Sequence, residues 1–188
     1  MVEKMPKPDF TNLNDKITEF VRVDQAGEFG AKRIYQGQLK AVKDKQAHKL
    51  IYSMMKQELI HLNYFSKQIE ERRVRPTMLF PLWNIGGYLL GWISAFMGVK
   101  IAMLTTEAIE EVIEKHYQSQ VDYLTEKIKE NEVDNLDLLA NIKQFRQDEI
   151  EHKHIAISGG SQNALLPKLW IALIRKICLG AIYLSKKI

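Results

Sequence analysis

The chain has 188 residues, 46% of them hydrophobic and 27% charged, with only ten glycines and five prolines, which suits one folded domain and excludes collagen-like, low-complexity and disordered chains. Its single cysteine, Cys178, excludes an internal disulfide, a cysteine zinc finger and a cysteine-held iron–sulfur cluster, and fits a reducing compartment. The formal charge of +4 is uneven: residues 164–188 hold five basic residues and no acid, while residues 1–163 carry 22 basic against 23 acidic ones. No basic groove or nucleic-acid module accompanies that tail, so nucleic acid is not an expected partner.

In chain order, Met1 to Pro6 shows no apolar signal region and no Arg/Ser-rich, acid-poor presequence, so the expectation is a cytosolic bacterial protein or a mature organellar one. Amphipathic helical periodicity runs over about 13–43, 45–72, 102–130 and 135–157, and strand signals are nearly absent. Val74-Arg75-Pro76 ends the second helix, because the residue before proline avoids the helical region. Residues 77–99 then form an uncharged run of 23, long enough as a helix to span a bilayer, yet interrupted by Pro81, Asn84, Gly86, Gly87, Gly91 and Gly98. The tail, 164–188, places Lys168, Arg175, Lys176, Lys186 and Lys187 among Leu, Ile and Trp, the pattern of a basic amphipathic helix on an anionic membrane.

Glu-x-x-His sets two ligands on one helix face, and it occurs three times: Glu58/His61, Glu149/His152 and Glu151/His154. Chance predicts about 0.4 occurrences from this composition, so the excess directs attention to metal binding. Ile51, Met55, Glu58, Leu62, Phe65 and Ile69 follow a core-facing seam, as do Leu138, Ile142, Phe145, Glu149, His152 and Ala156. Glu151 and His154 share a polar face and read as a solvated pair. Among Glu107, Glu110, Glu111 and Glu114, only Glu110 falls on the seam Met103, Thr106, Ile113, Tyr117, Leu124. In the first helix Glu28 is the most plausible inward carboxylate, with Asp24 its nearest competitor.

One inward glutamate usually reaches water at an edge, and one buried histidine is usually a hydrogen-bonded core group. Six such groups are different. Each unpaired buried carboxylate costs several kcal/mol, roughly, and no set of inward Lys or Arg is present to neutralise four of them. Two divalent cations would. Four glutamates and two histidines on four helices form the pattern of a ferritin-like di-metal bundle, so the expected fold is all-α, a four-helix bundle in one domain. Oxygen-rich ligation with one imidazole per metal suits iron or manganese. If residues 77–99 crossed a bilayer, the two halves of this site would lie on opposite sides. The run is therefore expected to be an interfacial crossover, with Trp83, Tyr88 and Trp92 at the headgroups and Arg72, Arg73 and Arg75 before it.

The stretch Arg22-Val23-Asp24-Gln25-Ala26-Gly27-Glu28-Phe29-Gly30-Ala31, followed by Arg33-Ile34-Tyr35, resembles the demethoxyubiquinone hydroxylase family, the di-iron monooxygenases of ubiquinone biosynthesis. So do Arg73-Val74-Arg75-Pro76-Thr77, Pro81-Leu82-Trp83-Asn84, Glu110-Glu111 with His116-Tyr117, Phe145-Arg146 with Glu149 and His152, and Ala181-Ile182-Tyr183-Leu184-Ser185. The resemblance covers nearly the whole chain. It implies two iron ions held by Glu28, Glu58, His61, Glu110, Glu149 and His152, with Glu58 and Glu149 bridging. Asp24 and Asp148 would support the histidines, and Tyr117 and His116 would lie near the substrate or an electron path. Gln25 stands where the family often has histidine. The implied reaction hydroxylates the ring of a polyprenyl demethoxyquinol with O₂ as co-substrate and NADH or the quinol as electron donor.

The resemblance also implies a peripheral protein on the cytoplasmic face of a bacterial inner membrane or the matrix face of the mitochondrial one, with a lipid-presenting or biosynthetic-complex partner. The alternative is a ferritin-like iron-oxidising or iron-storage protein. For such a protein an apolar crossover and a basic apolar tail would be liabilities. A rubrerythrin-like peroxidase would usually bring a cysteine-held iron module. A lipid-binding protein without catalysis would leave the six ligands unexplained.

Overall fold

The computed structural model describes residues 10–130, 135–163 and 167–187. The described residues form α1 (Phe10–Ala41), α2 (Lys45–Glu71), α3 (Phe80–Phe96), α4 (Val99–Lys129), α5 (Leu136–Ser158) and α6 (Pro167–Lys187), with a short 3₁₀ turn at Ser161–Asn163 and no strand among them. The Met1 to Pro6 reading and residues 164–166 and 188 of the expected C-terminal helix lie outside the described residues.

Local chemistry sets the boundaries. Asp44 caps α2 by accepting from the Ala47 amide at 2.7 Å, satisfying one of the free N–H groups of the first turn. Gly98 separates α3 from α4 at φ +118°, a conformation that side chains other than glycine rarely adopt, so α4 begins three residues before the expected start at 102. The larger departure is α3, which is continuous through Gly86, Gly87 and Gly91. Glycine disfavours a helix in water, but here it permits contact: a Cβ on Gly91 would overlap the Ile34 carbonyl, and one on Gly37 would overlap the Tyr88 carbonyl. With Phe29 packed edge-on against Phe80 at 4.8 Å and Arg33 donating to the Asn84 carbonyl at 3.1 Å, α3 lies along α1 in the same direction.

Four helices, α1, α2, α4 and α5, enclose two apolar cores. One contains Val21, Phe65, Tyr117 and Ile142, the other Tyr35, Ile51, Met103 and Ala156, all essentially inaccessible. On each helix the residue midway between its two core members is a glutamate: Glu28, Glu58, Glu110 and Glu149, each one heptad from either side. Two turns of helix thus place all four carboxylates in a single layer between the cores. The order in which each helix meets the cores gives its direction. α1 and α5 run one way and α2 and α4 the other, so the parallel pair α2 and α4 needs the long connection that α3 supplies.

α6 packs on α4 and α1 outside the bundle. Ile174 is fully buried beside Ala108 and Ile109, Trp170 donates to Thr105 Oγ1 at 2.8 Å, and Arg175 pairs with Glu111. None of the described helices is long and apolar enough to cross a membrane. Of the three aromatics expected at headgroups, Trp92 alone reaches the exposed side: Tyr88 lies under the Arg33 guanidinium at 5.0 Å, and Trp83 lines an internal cavity. The helical period puts Leu82, Ile85, Leu89, Ile93 and Phe96 outward instead.

Candidate metal centre

The layer between the cores gathers two overlapping groups of four ligands, Glu28/Glu58/His61/Glu149 and Glu58/Glu110/Glu149/His152, and in each group the donor atoms lie within 4.8 Å of one another. All six side chains are buried. Glu58 and Glu149 belong to both groups. His61 Nδ1 stands 3.3 Å from Glu149 Oε1 and 3.6 Å from Glu28 Oε2, while His152 Nδ1 stands 3.1 Å from Glu58 Oε1 and 3.2 Å from Glu149 Oε2. Each imidazole presents Nδ1 because its other nitrogen is engaged: His61 Nε2 donates to Asp148 Oδ2 at 3.0 Å, and His152 Nε2 to Gln57 Oε1 at 2.9 Å.

Two tyrosines hold the remaining carboxylates. Tyr35 donates to Glu110 Oε1 at 2.6 Å, and Tyr117 donates to Glu28 Oε1. Tyr117 also stacks on Phe65, so one residue serves both core and cluster. The expected support from Asp24 goes elsewhere. Lying one turn before Glu28, Asp24 meets α4 and accepts from His116 at 3.1 Å and Gln120 at 2.8 Å, not from a clustered histidine. Gln25 is buried and reaches Ser66 Oγ at 3.4 Å. Outside the cluster, Glu111 pairs with Lys115 and Arg175, Glu114 pairs with Arg146 and Lys153, Glu107 is half-buried, and Glu151 and His154 face solvent. Gln57 and Tyr35 carried no ligand-like spacing that marked them as supports.

The electrostatics are those of a site short of positive charge. Burial pushes the Glu58 and Glu110 carboxyls well above the usual carboxylate range, and the neighbouring Glu149 raises both further. Burial acts on Glu149 in the same sense, but the hydrogen bond from His152 and the positive charge of His152 and His61 beside it outweigh it and hold that carboxyl down at about 2. Burial opposes charge on His61 and His152, yet their acidic neighbours raise both. Glu58 Oε1, Glu149 Oε1 and His61 Nδ1 are buried without a hydrogen-bond partner. Four carboxylates with two imidazoles balance two divalent cations, and orphaned donor atoms facing one another suit ligation, so the residues present fit a metal pair.

An apolar cavity of about 330 Å³ reaches this layer. Glu28, Glu58, Glu110 and Glu149 form its inner end, Ile34, Leu90, Ile109 and Ile113 its walls, and Leu82 and Ile177, 54% and 45% exposed, its outer end between α3 and α6. A ligand there meets almost nothing polar before the carboxylates.

The family model described as ubiquinone biosynthesis protein COQ7 matches residues 15–185. The chain belongs to this family. It is 42% identical over 172 residues to the NADPH-dependent 3-demethoxyubiquinone 3-hydroxylase, mitochondrial, of Dictyostelium discoideum, covering 92% of this chain and 77% of that protein. It is 45% identical over 149 residues to the 3-demethoxyubiquinol 3-hydroxylase of Rhodospirillum rubrum, covering 79% and 67%. The human NADPH-dependent 3-demethoxyubiquinone 3-hydroxylase, mitochondrial, is 38% identical over 172 residues, covering 92% and 78%. The COQ7 match thus takes in all six clustered residues and the helices α3 and α6 that line the cavity.

Proposed function

We propose that this protein is a di-iron monooxygenase that hydroxylates the ring of a polyprenyl demethoxyquinol, converting 3-demethoxyubiquinol to 3-demethylubiquinol. The observation that carries the reading is the apolar cavity ending on two ligand groups that share Glu58 and Glu149. An iron store needs ligands but no apolar cavity of this kind.

Glu28, Glu58, His61 and Glu149 would hold one iron, and Glu110, His152 and the shared pair the other. Two iron ions held there would supply the redox chemistry of O₂ activation, in which one oxygen atom enters the ring and the other leaves as water with two electrons and two protons. The chain's own groups set the geometry. Asp148 and Gln57 fix the imidazoles, Tyr35 and Tyr117 fix Glu110 and Glu28, and the walls exclude water and turn the open ring carbon inward. The electrons come from a reduced nicotinamide or from the quinol.

The substrate's prenyl chain enters from a membrane surface. The two helices that line the outer end of the cavity also carry exposed apolar residues, Ile85, Leu89 and Phe96 on α3 and Leu169, Leu173 and Tyr183 on α6, with Lys168, Lys176, Lys186 and Lys187 along α6. That arrangement supports peripheral docking of the 77–99 crossover and the C-terminal helix on an anionic inner membrane, on its cytoplasmic or matrix side, where a lipid-presenting or biosynthetic partner would also reach the mouth.

Anaerobic titration with ferrous iron, followed by air and a demethoxyquinol, tests the reading. It predicts two irons per chain and hydroxylated ring. One iron or none at saturation, or equal product from metal-free protein, would sink it.

A further inference from the structure

Glycine serves two opposite purposes along the contact of α1 and α3. At Gly37 and Gly91 an added Cβ would strike the backbone of the other helix. At Gly27, Gly30 and Gly86 an added Cβ would meet nothing within 4 Å, although all three line the cavity that ends on the carboxylates. Packing does not require glycine at the second set. Gly27 and Gly30 lie within α1, where alanine would favour the helix, so neither helix geometry nor neighbouring atoms explains the missing side chain. The same cavity ends on Glu58 and Glu149, the two carboxylates common to both ligand groups, so a molecule that fills it is brought to the candidate metal pair.

We propose that Gly27, Gly30 and Gly86 set the bore of the quinol passage, leaving clearance for a flat substituted ring and the isoprenoid chain behind it. This rests on the functional reading above. These residues make no bond to the ligand; their contribution to specificity is the volume they leave empty. A side chain at Gly30 projects into the passage from the helix that carries Glu28, so it obstructs the ring's approach without touching a ligand atom of the cluster. Gly180 of α6, which also has open space around its Cβ position but does not line the cavity, is the internal control.

The test measures binding apart from turnover. Full-length metal-free protein is titrated with a short-prenyl demethoxyquinone, followed by quenching of tryptophan fluorescence, for wild type, Gly30→Ala, Gly30→Leu, Gly86→Leu and Gly180→Ala. Melting temperature and iron stoichiometry are recorded for each. The expected result is quinone binding at least tenfold weaker in both leucine variants, an intermediate loss in Gly30→Ala, and wild-type binding in Gly180→Ala. Gly30→Ala should melt no lower than wild type and still take up two irons, a combination that damaged packing would not produce. Binding within twofold of wild type in Gly30→Leu and Gly86→Leu, or loss that only tracks a lowered melting temperature, would overturn the proposal. A wild type that binds the quinone but leaves its ring unhydroxylated when iron-loaded would defeat the functional reading and not this one.

Discussion

The Tyr35 hydroxyl donates to Glu110 across the interface of α1 and α4, 2.6 Å from the carboxylate oxygen, in a pocket where both side chains are at most 2% exposed. Tyr35 is also one heptad from Glu28, so a single helix face contributes a carboxylate to the cluster and a donor to its opposite carboxylate. Tyr35→Phe removes the donor and keeps the ring in its core. The expected outcome is a folded protein less stable by about 1 kcal/mol, with the iron on the Glu110/His152 side bound about tenfold more weakly. Chelator competition on the iron-loaded variant checks it.

The two histidines are supported by unlike partners, a carboxylate for His61 and an amide for His152. Asp148→Ala and Gln57→Ala should therefore loosen different irons, each by about 10- to 100-fold. A carboxylate acceptor also strengthens imidazole basicity, so Asp148→Ala is the more damaging. Stepwise iron titration of the two variants separates the effects.

Loading the site should release protons. Glu58, Glu110, His61 and His152 all hold their protons to higher pH than free side chains do, the carboxyls through burial and neighbouring acids and the imidazoles through acidic partners that outweigh burial. Ligation needs these groups deprotonated, so iron affinity rises with pH and falls as the solution is acidified. Calorimetry in buffers of different ionisation enthalpy should give net proton release on binding. Removing the metal lowers the melting temperature, since a ligand at a thousandfold its dissociation constant contributes about 4 kcal/mol.

The proposed membrane docking places weight on side chains that the fold leaves largely exposed. Ile85 and Phe96 are 61% and 72% exposed on α3. Ile85→Ser combined with Phe96→Ser should leave the melting temperature unchanged. The pair loses about 3 kcal/mol or more of burial on a bilayer, enough to weaken flotation with anionic vesicles at least tenfold.

Much of the centre was legible because its chemistry is local. Glu58/His61 and Glu149/His152 advertise themselves by i,i+3 spacing within apolar seams, and Glu110 by being the acid on its seam. Glu28 is placed by its heptad spacing from Val21 and Tyr35 on a poorer seam, where Asp24 competes with it, and the resemblance settles the third-helix choice on Glu110. The supports were less visible for a physical reason: Gln57 and Tyr35 act across helix pairs, and the spacing in one helix says nothing about what the next presents. For the same reason the pattern of one helix does not reveal that the histidine Asp24 supports is His116 of α4 and not one of the cluster. The glycines of α3 looked like interruptions because their cost is intrinsic to a helix in water, whereas their benefit at Gly91 exists only once α1 lies against it.

The central claim is that this cluster inserts oxygen into a quinol ring, and a single turnover under ¹⁸O₂ tests it most directly. Iron-loaded, reduced protein is mixed with a short-chain demethoxyquinol and the ring is analysed by mass spectrometry, with Glu110→Ala as control. One labelled oxygen in the ring, absent in the control, is the predicted result. Consumption of O₂ with the ring unchanged would contradict the account and favour the iron-oxidising alternative.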